Sequence, residues 1–267
     1  MKKIMTLAVV LFMFAGFALA GEKIVIEGTG DSQQFLHVLA QAFEQKHPGK
    51  VVEVPNAIGS AGGIKALIEG KCDLARIARP LKASEKQFGL SSRTFALSPV
   101  VFIVSANVQG IENITLDQVT GIFLGKIVSW EELGATGGKI YVANRENGDS
   151  CRSVLENMFP DLKTAFSSSV GKIIYSTPEL IEVVSRNDSV IGYAPMAMTR
   201  GVKVRIVAFD GAYPSLENVK EKAYKAVVPL GIAWRNEPAG LVKEFLDFLF
   251  SVEAEGIMSE NGLISAE

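Results

Sequence analysis

The sequence is short of the residues that most metal and catalytic centres need. Its 267 residues include only two histidines, His37 and His47, and two cysteines, Cys72 and Cys151. Protein metal sites are built from clusters of such residues at characteristic spacings, and no such spacing occurs in this chain. Because no histidine follows residue 47, a serine or cysteine nucleophile has no imidazole base later in the chain. We therefore expect no metal, no cofactor and no enzymatic activity.

The chain also lacks an excess of positive charge. Its 27 Lys and Arg residues face 29 Asp and Glu residues, which gives a formal net charge of −2 at pH 7. Nucleic-acid-binding domains carry a concentrated basic surface, so this balance argues against that class. With 48% hydrophobic and 21% charged residues, the composition is that of an ordinary globular protein. The length allows one large domain or two lobes with a substantial core.

Long hydrophobic runs are missing except near the N-terminus. Two lysines, at positions 2 and 3, precede an uncharged run over residues 5–17, and Ala18-Leu19-Ala20 forms a small-x-small cleavage site. The run is shorter than the roughly 20 residues that a membrane-spanning helix needs. We predict that residues 1–20 are a signal peptide cleaved after Ala20, without a lipid-anchor signal. The mature protein is then expected in the periplasm.

Export would place the two cysteines in an oxidising compartment, where a disulfide can form. A single pair is not a disulfide framework, however, and Cys72 also fits a small apolar residue of a buried strand. The sequence leaves the redox state of Cys72 and Cys151 open.

Strand-like and helix-like patterns alternate along the mature chain, which predicts an α/β fold with mostly parallel sheets. Strands are predicted at 23–27, 50–54, 73–77, 98–106, 139–143, 190–193 and 202–209, and helices at 32–46, from 62 or 63 to 69, 115–123, 150–158 and 239–250. The simplest arrangement is two lobes joined by two hinge crossings, with a cleft between them. We predict that residues 21–105 and 206–267 form the first lobe and residues 106–205 the second.

Three loops rich in glycine and small polar residues come directly before predicted helices. Gly-Asp-Ser occurs twice, at 30–32 and at 148–150, each time after a predicted strand, and Gly-Ser-Ala-Gly-Gly occupies 59–63. Helix N-termini expose free N–H groups and carry partial positive charge, so they favour anions. Glycines let a ligand approach the backbone closely, and hydroxyl groups add donors. If the three loops converge on the cleft, they form a hydrogen-bonding cage for a small oxyanion.

Each loop also has a simpler interpretation, because Asp and Ser are common helix N-caps and glycine turns are routine before helices. Taken singly, each loop fits capping alone. The three together favour a binding site, since Arg145 lies beside one loop and Arg79 follows a predicted strand end. An arginine can hold an oxyanion through two parallel hydrogen bonds, although either arginine can equally be a solvated surface residue.

Gly30-Asp31-Ser32 also suggests a GDSL-type hydrolase with Ser32 as the nucleophile. That chemistry needs a base for the hydroxyl proton, normally a histidine late in the chain. His37 is predicted on the solvent face of the first helix and His47 at its end, where the helix dipole favours it. A hydrolase is therefore only the third hypothesis.

Several stretches of the chain are more specific than any single loop. They are IGSAGGIKAL at 58–67, RPL at 79–81, ITLDQV at 114–119, IFLGKI at 122–127, WEELG at 130–134, RENG at 145–148 and VIGY at 190–193. Together they resemble the phosphate-binding subunits of bacterial ABC phosphate importers, within the class of periplasmic solute-binding proteins. The resemblance covers essentially the whole mature chain.

The resemblance implies a periplasmic-binding-protein-like fold whose two lobes close on a phosphate ion. It also implies that the chain is a monomer that delivers phosphate to the membrane subunits of an ABC importer. Matching positions imply donors from Ser32 and the nearby backbone, from Ser60, and from Arg145 with the amides and hydroxyl at 149–151. The full set of candidate ligand-binding residues is Thr29, Gly30, Asp31, Ser32, Ser60, Ala61, Arg79, Arg145, Asp149, Ser150 and Cys151.

Three positions depart from the family pattern. Asp-Ser-Cys at 149–151 replaces a frequent Ser-Gly-Thr, Ala-Arg-Ile at 75–77 replaces a glycine-rich segment, and Ala78 replaces an acidic or hydroxyl residue. Asp31 or Asp149 could accept the proton of monohydrogen phosphate in place of residue 78, but a carboxylate otherwise repels a dianion. Two hypotheses stay open: a phosphate receptor, or an exported sensor or scaffold of the same fold with an altered or lost ligand.

Overall fold

The computed structural model describes residues 22–266, so the predicted signal peptide lies outside the described residues. Within them, no helix has the length and apolar character that a membrane crossing needs.

The strands are β1 Glu22–Gly28, β2 Lys50–Glu53, β3 Leu74–Ile77, β4 Leu90–Ser105, β5 Asn113–Ile114, β6 Tyr141–Arg145, β7 Lys172–Ile174, β8 Val190–Pro195, β9 Val204–Phe209, β10 Val227–Arg235 and β11 Ile264–Ser265. The helices are α1 Gln33–Lys46, α2 Gly59–Ile68, α3 Ala83–Lys86, α4 Leu116–Phe123, α5 Ser150–Met158, α6 Pro160–Ser167, α7 Thr177–Arg186, α8 Leu216–Lys220, α9 Gly240–Leu249 and α10 Val252–Glu260.

The first lobe is built on the parallel strands β2, β1 and β3, which helices α1 and α2 connect. Strand β10 runs antiparallel to β3 and continues the sheet toward β4. Because β1 and β3 are parallel, their carboxyl ends lie at the same edge of the sheet. The loop that follows β1 and the segment that follows β3 are thereby brought together.

The second lobe repeats this arrangement with β7, β6 and β8, which are again parallel. Helices α5, α6 and α7 lie between these strands along the chain. The loop after β6 and the start of α7 therefore lie at the carboxyl edge of this sheet. The α/β class and the two-lobed fold predicted from the sequence are confirmed.

One long strand joins the lobes. Residues 90–99 of β4 pair with β10, whereas residues 100–105 pair with β8 and β9. The chain returns from β9 to β10 through α8. Two segments therefore cross between the lobes, as a hinged two-lobed protein requires. The exact lobe limits, at residues 105 and 205, stay predictions.

Helix α1, which follows the loop after β1, packs into the core of the first lobe. Its buried residues include Phe35, Leu36, Leu39 and Phe43. The Phe43 ring centroid lies 5.5 Å from that of Phe245 on α9, and aromatic burial of this kind contributes strongly to a core. The closing helix predicted at 239–250 therefore packs on the first lobe.

The cysteines are both buried and both free. The side chain of Cys151 belongs to the main hydrophobic core, whereas Cys72 packs beside Ala75 and Ile77 of β3. The two thiols thus lie in separate core clusters, and the disulfide that the sequence left open is not formed in the described structure.

Candidate functional site

The three predicted loops meet in one polar cavity of about 320 Å³ between the lobes. The first lobe contributes the end of β1 and the start of α2, and the second contributes the loop between β6 and α5. Eight of the eleven predicted residues line the cavity: Thr29, Gly30, Ser60, Ala61, Arg79, Arg145, Asp149 and Ser150.

The other three predicted residues, Asp31, Ser32 and Cys151, do not line this cavity but are buried next to it. Their exposed fractions are 1%, 0% and 2%. Burial raises the pKa of the Cys151 thiol well above its usual range. The Ser32 hydroxyl has no hydrogen-bond partner among the described residues. Ser32 is the N-cap residue of α1, but its side chain makes no capping hydrogen bond.

Arg145 ends β6 and points its guanidinium along the cavity wall. It is only 5% exposed. Its Nε and Nη2 donate to Asp149 Oδ2 at 3.0 and 2.7 Å, and its Nη1 donates to the carbonyl of Ile174 at 2.9 Å. Burial lowers the pKa of Arg145, but the carboxylates of Asp149, Glu146 and Asp31 together outweigh this effect and raise it. Arg145 is therefore a fixed cation.

The position of Arg145 is set by polar groups behind it. Its backbone N–H lies 3.3 Å from the hydroxyl oxygen of Tyr193, and that hydroxyl donates to Asn144 Oδ1 at 2.8 Å. Its carbonyl accepts a hydrogen bond from Arg152 Nη1 at 3.0 Å. Tyr193 comes from the VIGY stretch, so that stretch supports Arg145 rather than lining the cavity.

Asp149 is the N-cap of α5. Its Oδ1 accepts from the backbone N–H of Arg152 at 3.0 Å, while its Oδ2 accepts from Arg145. Asp149 therefore caps α5, as the capping interpretation of this loop predicted. The cap provides a hydrogen-bond acceptor for the amide of residue 152. Ser150, in the first turn of α5, still lines the cavity.

The second loop is already part of a helix. The sequence predicted that α2 begins at Gly62 or Gly63, but the helix begins at Gly59, so Ser60 and Ala61 lie in its first turn. The Ser60 hydroxyl accepts from the amide of Ala78 at 3.0 Å. Gly63 is needed for packing instead of ligand approach, because a Cβ there would lie 2.5 Å from the Cα of Gly28.

Arg79 lines the cavity, but its guanidinium is engaged elsewhere. Nη1 and Nη2 donate to the two carboxylate oxygens of Glu85 at 2.8 and 2.7 Å. This pairing lowers the pKa of Glu85. A ligand could use only the donors that Glu85 leaves free, so Arg79 is a weaker candidate contact than Arg145.

Arg76, for which the sequence predicted no binding role, holds two of the site loops in place. It is completely buried and donates through Nε to the carbonyl of Thr29 at 2.6 Å, through Nη2 to that of Pro55 at 2.7 Å, and through Nη1 to that of Ile26. Burial lowers its pKa to about 10, so it remains charged at neutral pH. No local pattern in the sequence indicated this role.

A fourth helix start, that of α7, also faces the cavity and was missed. Tyr175 and Ser176 line the cavity, and the Ser176 hydroxyl accepts from the amide of Glu179 at 3.3 Å. The sequence contains a helix-start signal here: Ser176 is followed two residues later by Pro178 and three residues later by Glu179. These residues could have revealed the start of α7.

The charges at the cavity are mixed. Lys82, Arg79 and Arg145 are positive, whereas Asp149 and Glu146 are negative. Burial raises the pKa of Glu146, whose Oε2 has no hydrogen-bond partner among the described residues. The cavity can therefore hold an anion, but its carboxylates favour one that carries protons.

A larger cavity, of about 910 Å³, lies in the second lobe, where residues of β6, β7 and α7 contribute to its lining. It is lined mainly by aliphatic side chains such as those of Ile122, Val142 and Val183. Its polar lining residues include Lys139, Lys172, Asn187, Asp188 and Ser189, and none of the predicted site residues line it. The smaller interlobe cavity is therefore the better candidate for a ligand site.

The family comparison agrees with this architecture. The family model described as a PBP superfamily domain matches residues 16–253. Among curated proteins, the chain is 27% identical over 257 residues to the phosphate-binding protein PstS of Bacillus subtilis, a match that covers 92% of this chain and 81% of that protein.

Solved structures give the same result. A protein of Clostridium perfringens described as a phosphate ABC transporter substrate-binding protein, with bound phosphate, aligns with a TM-score of 0.80 and 29% identity. An ABC-type phosphate transport receptor of Vibrio cholerae aligns with a TM-score of 0.64 and 27% identity. Each alignment covers 92% of this chain and 100% of the other.

Proposed function

The chain belongs to the PBP superfamily, and on this premise we propose that it is a receptor that binds inorganic phosphate between its lobes and delivers it to an ABC importer. The observation that carries the proposal is the interlobe cavity, which Arg145 and the first turn of α2 both line. Helix N-termini and a fixed guanidinium are the groups that bind small oxyanions. The relatives described as phosphate-binding proteins support the choice of ligand.

In this proposal the ligand contacts both lobes. The first lobe offers the Ser60 hydroxyl and the backbone beside Gly30, and the second offers Arg145 and the Ser150 hydroxyl and amide. Ser32 and Cys151 would contribute from behind the cavity wall, Cys151 through its amide. Because the ligand is held from both sides, its binding favours the closed arrangement of the lobes.

The same proposal covers the location and the partner of the protein. Residues 1–20 would direct export and be cleaved after Ala20, and the mature monomer would work in the periplasm. Its partner would be the membrane subunits of an ABC importer, and no catalytic step is assigned to it. The lobe limits at residues 105 and 205 belong to this proposal too.

A second candidate function is favoured by one observation. The carboxylate of Asp149 binds the Arg145 guanidinium through two hydrogen bonds, which are donors that an oxyanion would otherwise use. If this pair excludes phosphate, the protein is an exported sensor or scaffold of the same fold with a different ligand.

Calorimetry separates the two candidates. The mature chain, stripped of ligand by unfolding and refolding, is titrated with phosphate and then with sulfate at neutral pH. Micromolar or tighter phosphate binding without a sulfate response supports the receptor. A folded sample that gives neither heat nor thermal stabilisation with phosphate supports the second candidate, and a screen of other oxyanions then follows.

A further inference from the structure

A buried hydrogen bond joins the two lobes beside the cavity. The hydroxyl of Thr177, at the start of α7, donates to Asp31 Oδ1 at 2.6 Å. Asp31 follows β1 in the first lobe, and the two residues lie 146 positions apart in the sequence. Their exposed fractions are 1% and 3%, so the contact is sealed from solvent.

The backbone around this hydrogen bond is tightly fitted. A Cβ at Gly30 would lie 2.7 Å from the Cδ of Pro178 and 3.3 Å from the Cβ of Thr177. A residue other than glycine would therefore push the two lobes apart at this point. Gly30 permits the close approach, and Asp31 provides the polar contact within it.

Asp31 has no evident structural task inside its own lobe. Thr29, not Asp31, caps the short 3₁₀ turn Gly30–Ser32, and the N-cap of α1 is Ser32. The second carboxylate oxygen of Asp31, Oδ2, is buried without any hydrogen-bond partner among the described residues. A buried oxygen of this kind is costly when the carboxylate is charged and much less costly when it carries the proton.

The charged groups that face Asp31 all come from the second lobe. They are the carboxylate of Asp149 and the guanidinium of Arg145, with the neutral thiol of Cys151 beside them. Burial and the Asp149 carboxylate raise the pKa of Asp31 to about 6, although Thr177, Arg145 and Thr29 favour the charged form. Separating the lobes would remove both the burial and the repulsion, so closure increases the affinity of Asp31 for a proton.

We propose that Asp31 is a positioning residue that couples closure on the ligand to the uptake of one proton. At a pH below the raised pKa of Asp31, Oδ2 in the closed receptor carries this proton, which comes from solvent, while Oδ1 continues to accept from Thr177; no covalent bond other than O–H changes. This inference rests on the proposed phosphate-binding function. A bound anion adds negative charge near Asp31 and favours the protonated form further.

The coupling fixes the direction of the pH dependence. At a pH where the exposed carboxylate of the open form is ionised, binding must draw a proton from solvent, and this becomes harder as the pH rises. Phosphate affinity attributable to Asp31 therefore falls with rising pH across the interval between the two pKa values of Asp31. The dependence disappears when residue 31 cannot titrate.

Asp31→Asn tests the coupling, because asparagine keeps an oxygen that can accept from Thr177 and carries no titratable group. Phosphate dissociation constants are measured by calorimetry between about pH 4.5 and 8 for both proteins. Their ratio at each pH cancels the titration of phosphate itself. The dissociation constant of the wild type, divided by that of Asp31→Asn, is expected to rise about tenfold or more from the lowest to the highest pH. A tenfold rise corresponds to a difference of about one unit between the Asp31 pKa values of the open and closed forms. Asp161→Asn, at an exposed position on α6, is the matched control and should leave the ratio at unity.

The Thr177 contact is tested separately. Thr177→Val removes the donor with little change of shape and should weaken phosphate binding, while Thr177→Ser keeps the hydroxyl and should restore it. Calorimetry in buffers of different ionisation enthalpy should also show less proton uptake for Asp31→Asn than for the wild type. Phosphate binding with a pH-independent ratio overturns this inference alone. Absence of phosphate binding at every pH overturns both the inference and the proposed function.

Discussion

Arg145 donates two hydrogen bonds to one oxygen of Asp149, from Nε at 3.0 Å and from Nη2 at 2.7 Å. Both side chains are buried, with exposed side-chain fractions of 6% and 5%. An internal carboxylate thus binds the same guanidinium that a cavity ligand would need. Asp149 also caps α5, so it stays in place whether or not an anion is near. In the proposed phosphate complex, the ion would therefore share Arg145 with this carboxylate.

Replacing Asp149 by serine should strengthen phosphate binding. The change frees two donors of Arg145 and removes a negative charge from the cavity, while serine remains a good N-cap for α5. A charge-assisted hydrogen bond contributes about 1.5–3 kcal/mol, so even one such bond gained by the ligand should lower the dissociation constant by about tenfold or more. Calorimetric titration with phosphate measures the change. Weaker binding would mean that the Asp149 carboxylate takes part in recognising the ligand.

Replacing Arg145 by lysine should weaken phosphate binding by about tenfold or more, because an ammonium cannot reproduce the planar guanidinium contact. Lysine is preferred to alanine here, since removing the positive charge would leave Asp149 buried without a partner and would destabilise the fold. Arg186→Lys is the matched control, because Arg186 is exposed and pairs with Glu182 on its own helix, α7. Equal affinities for the two variants would remove Arg145 from the site.

Replacing Arg76 by methionine should destabilise the protein strongly. Three carbonyl groups lose the Arg76 donor, those of the buried residues Ile26 and Thr29 and that of the half-buried Pro55. Each unsatisfied buried group costs about 1–3 kcal/mol, so the free energy of unfolding should fall by about 3 kcal/mol or more. Urea denaturation followed by circular dichroism measures it. Arg93→Met serves as the control, since Arg93 lies against the ring of Phe250 instead, and a similar loss in both variants would contradict this account.

The cysteines should be unreactive in the folded protein. Both are buried, and burial raises the pKa of Cys72 to about 11 and that of Cys151 well above its usual range. The thiolate is the reactive form, so neither residue should react with an aromatic disulfide reagent at pH 8 until the chain is unfolded in guanidinium. In the unfolded chain, two thiols should react with the reagent. Rapid reaction of a folded sample would contradict the assigned burial.

The sequence predicted elements best where the signal is local. Helix α5 occupies Ser150–Met158, as predicted, because Asp149 and Ser150 form a helix start before a periodic apolar pattern. Strand β10 was missed because Pro229 and Gly231 argue against a strand. In the structure Pro229 lies where β10 pairs only with β4, and the register shifts between Leu230 and Gly231.

Helical periodicity gave the type of α1 but only part of its buried face. Val38 continues the apolar i, i+3, i+4 spacing that begins at Phe35, yet Val38 is 38% exposed and Leu36 is completely buried. The two positions lie on either side of the same apolar stripe, and the packing of the first lobe decides between them. Periodicity alone does not contain that information.

The loops of the candidate site could be predicted, but their connections could not. Helix-start residues mark the loops locally, which is why most of the predicted residues line one cavity. The contacts of Arg76 with the Thr29 and Pro55 carbonyls, and of Asp31 with Thr177, join segments 21 to 146 positions apart. Such pairings depend on the fold, and no pattern within a single segment indicates them.

A crystal structure of the mature protein grown with phosphate tests the central claim most directly. The account predicts one phosphate ion in the interlobe cavity, within hydrogen-bonding distance of the Arg145 guanidinium, the Ser60 hydroxyl and the amide of Ser150. It also predicts that the hydrogen bond between Asp31 and Thr177 is kept. A folded protein whose cavity holds no phosphate at millimolar concentration, with Arg145 still bound to Asp149, would contradict the account.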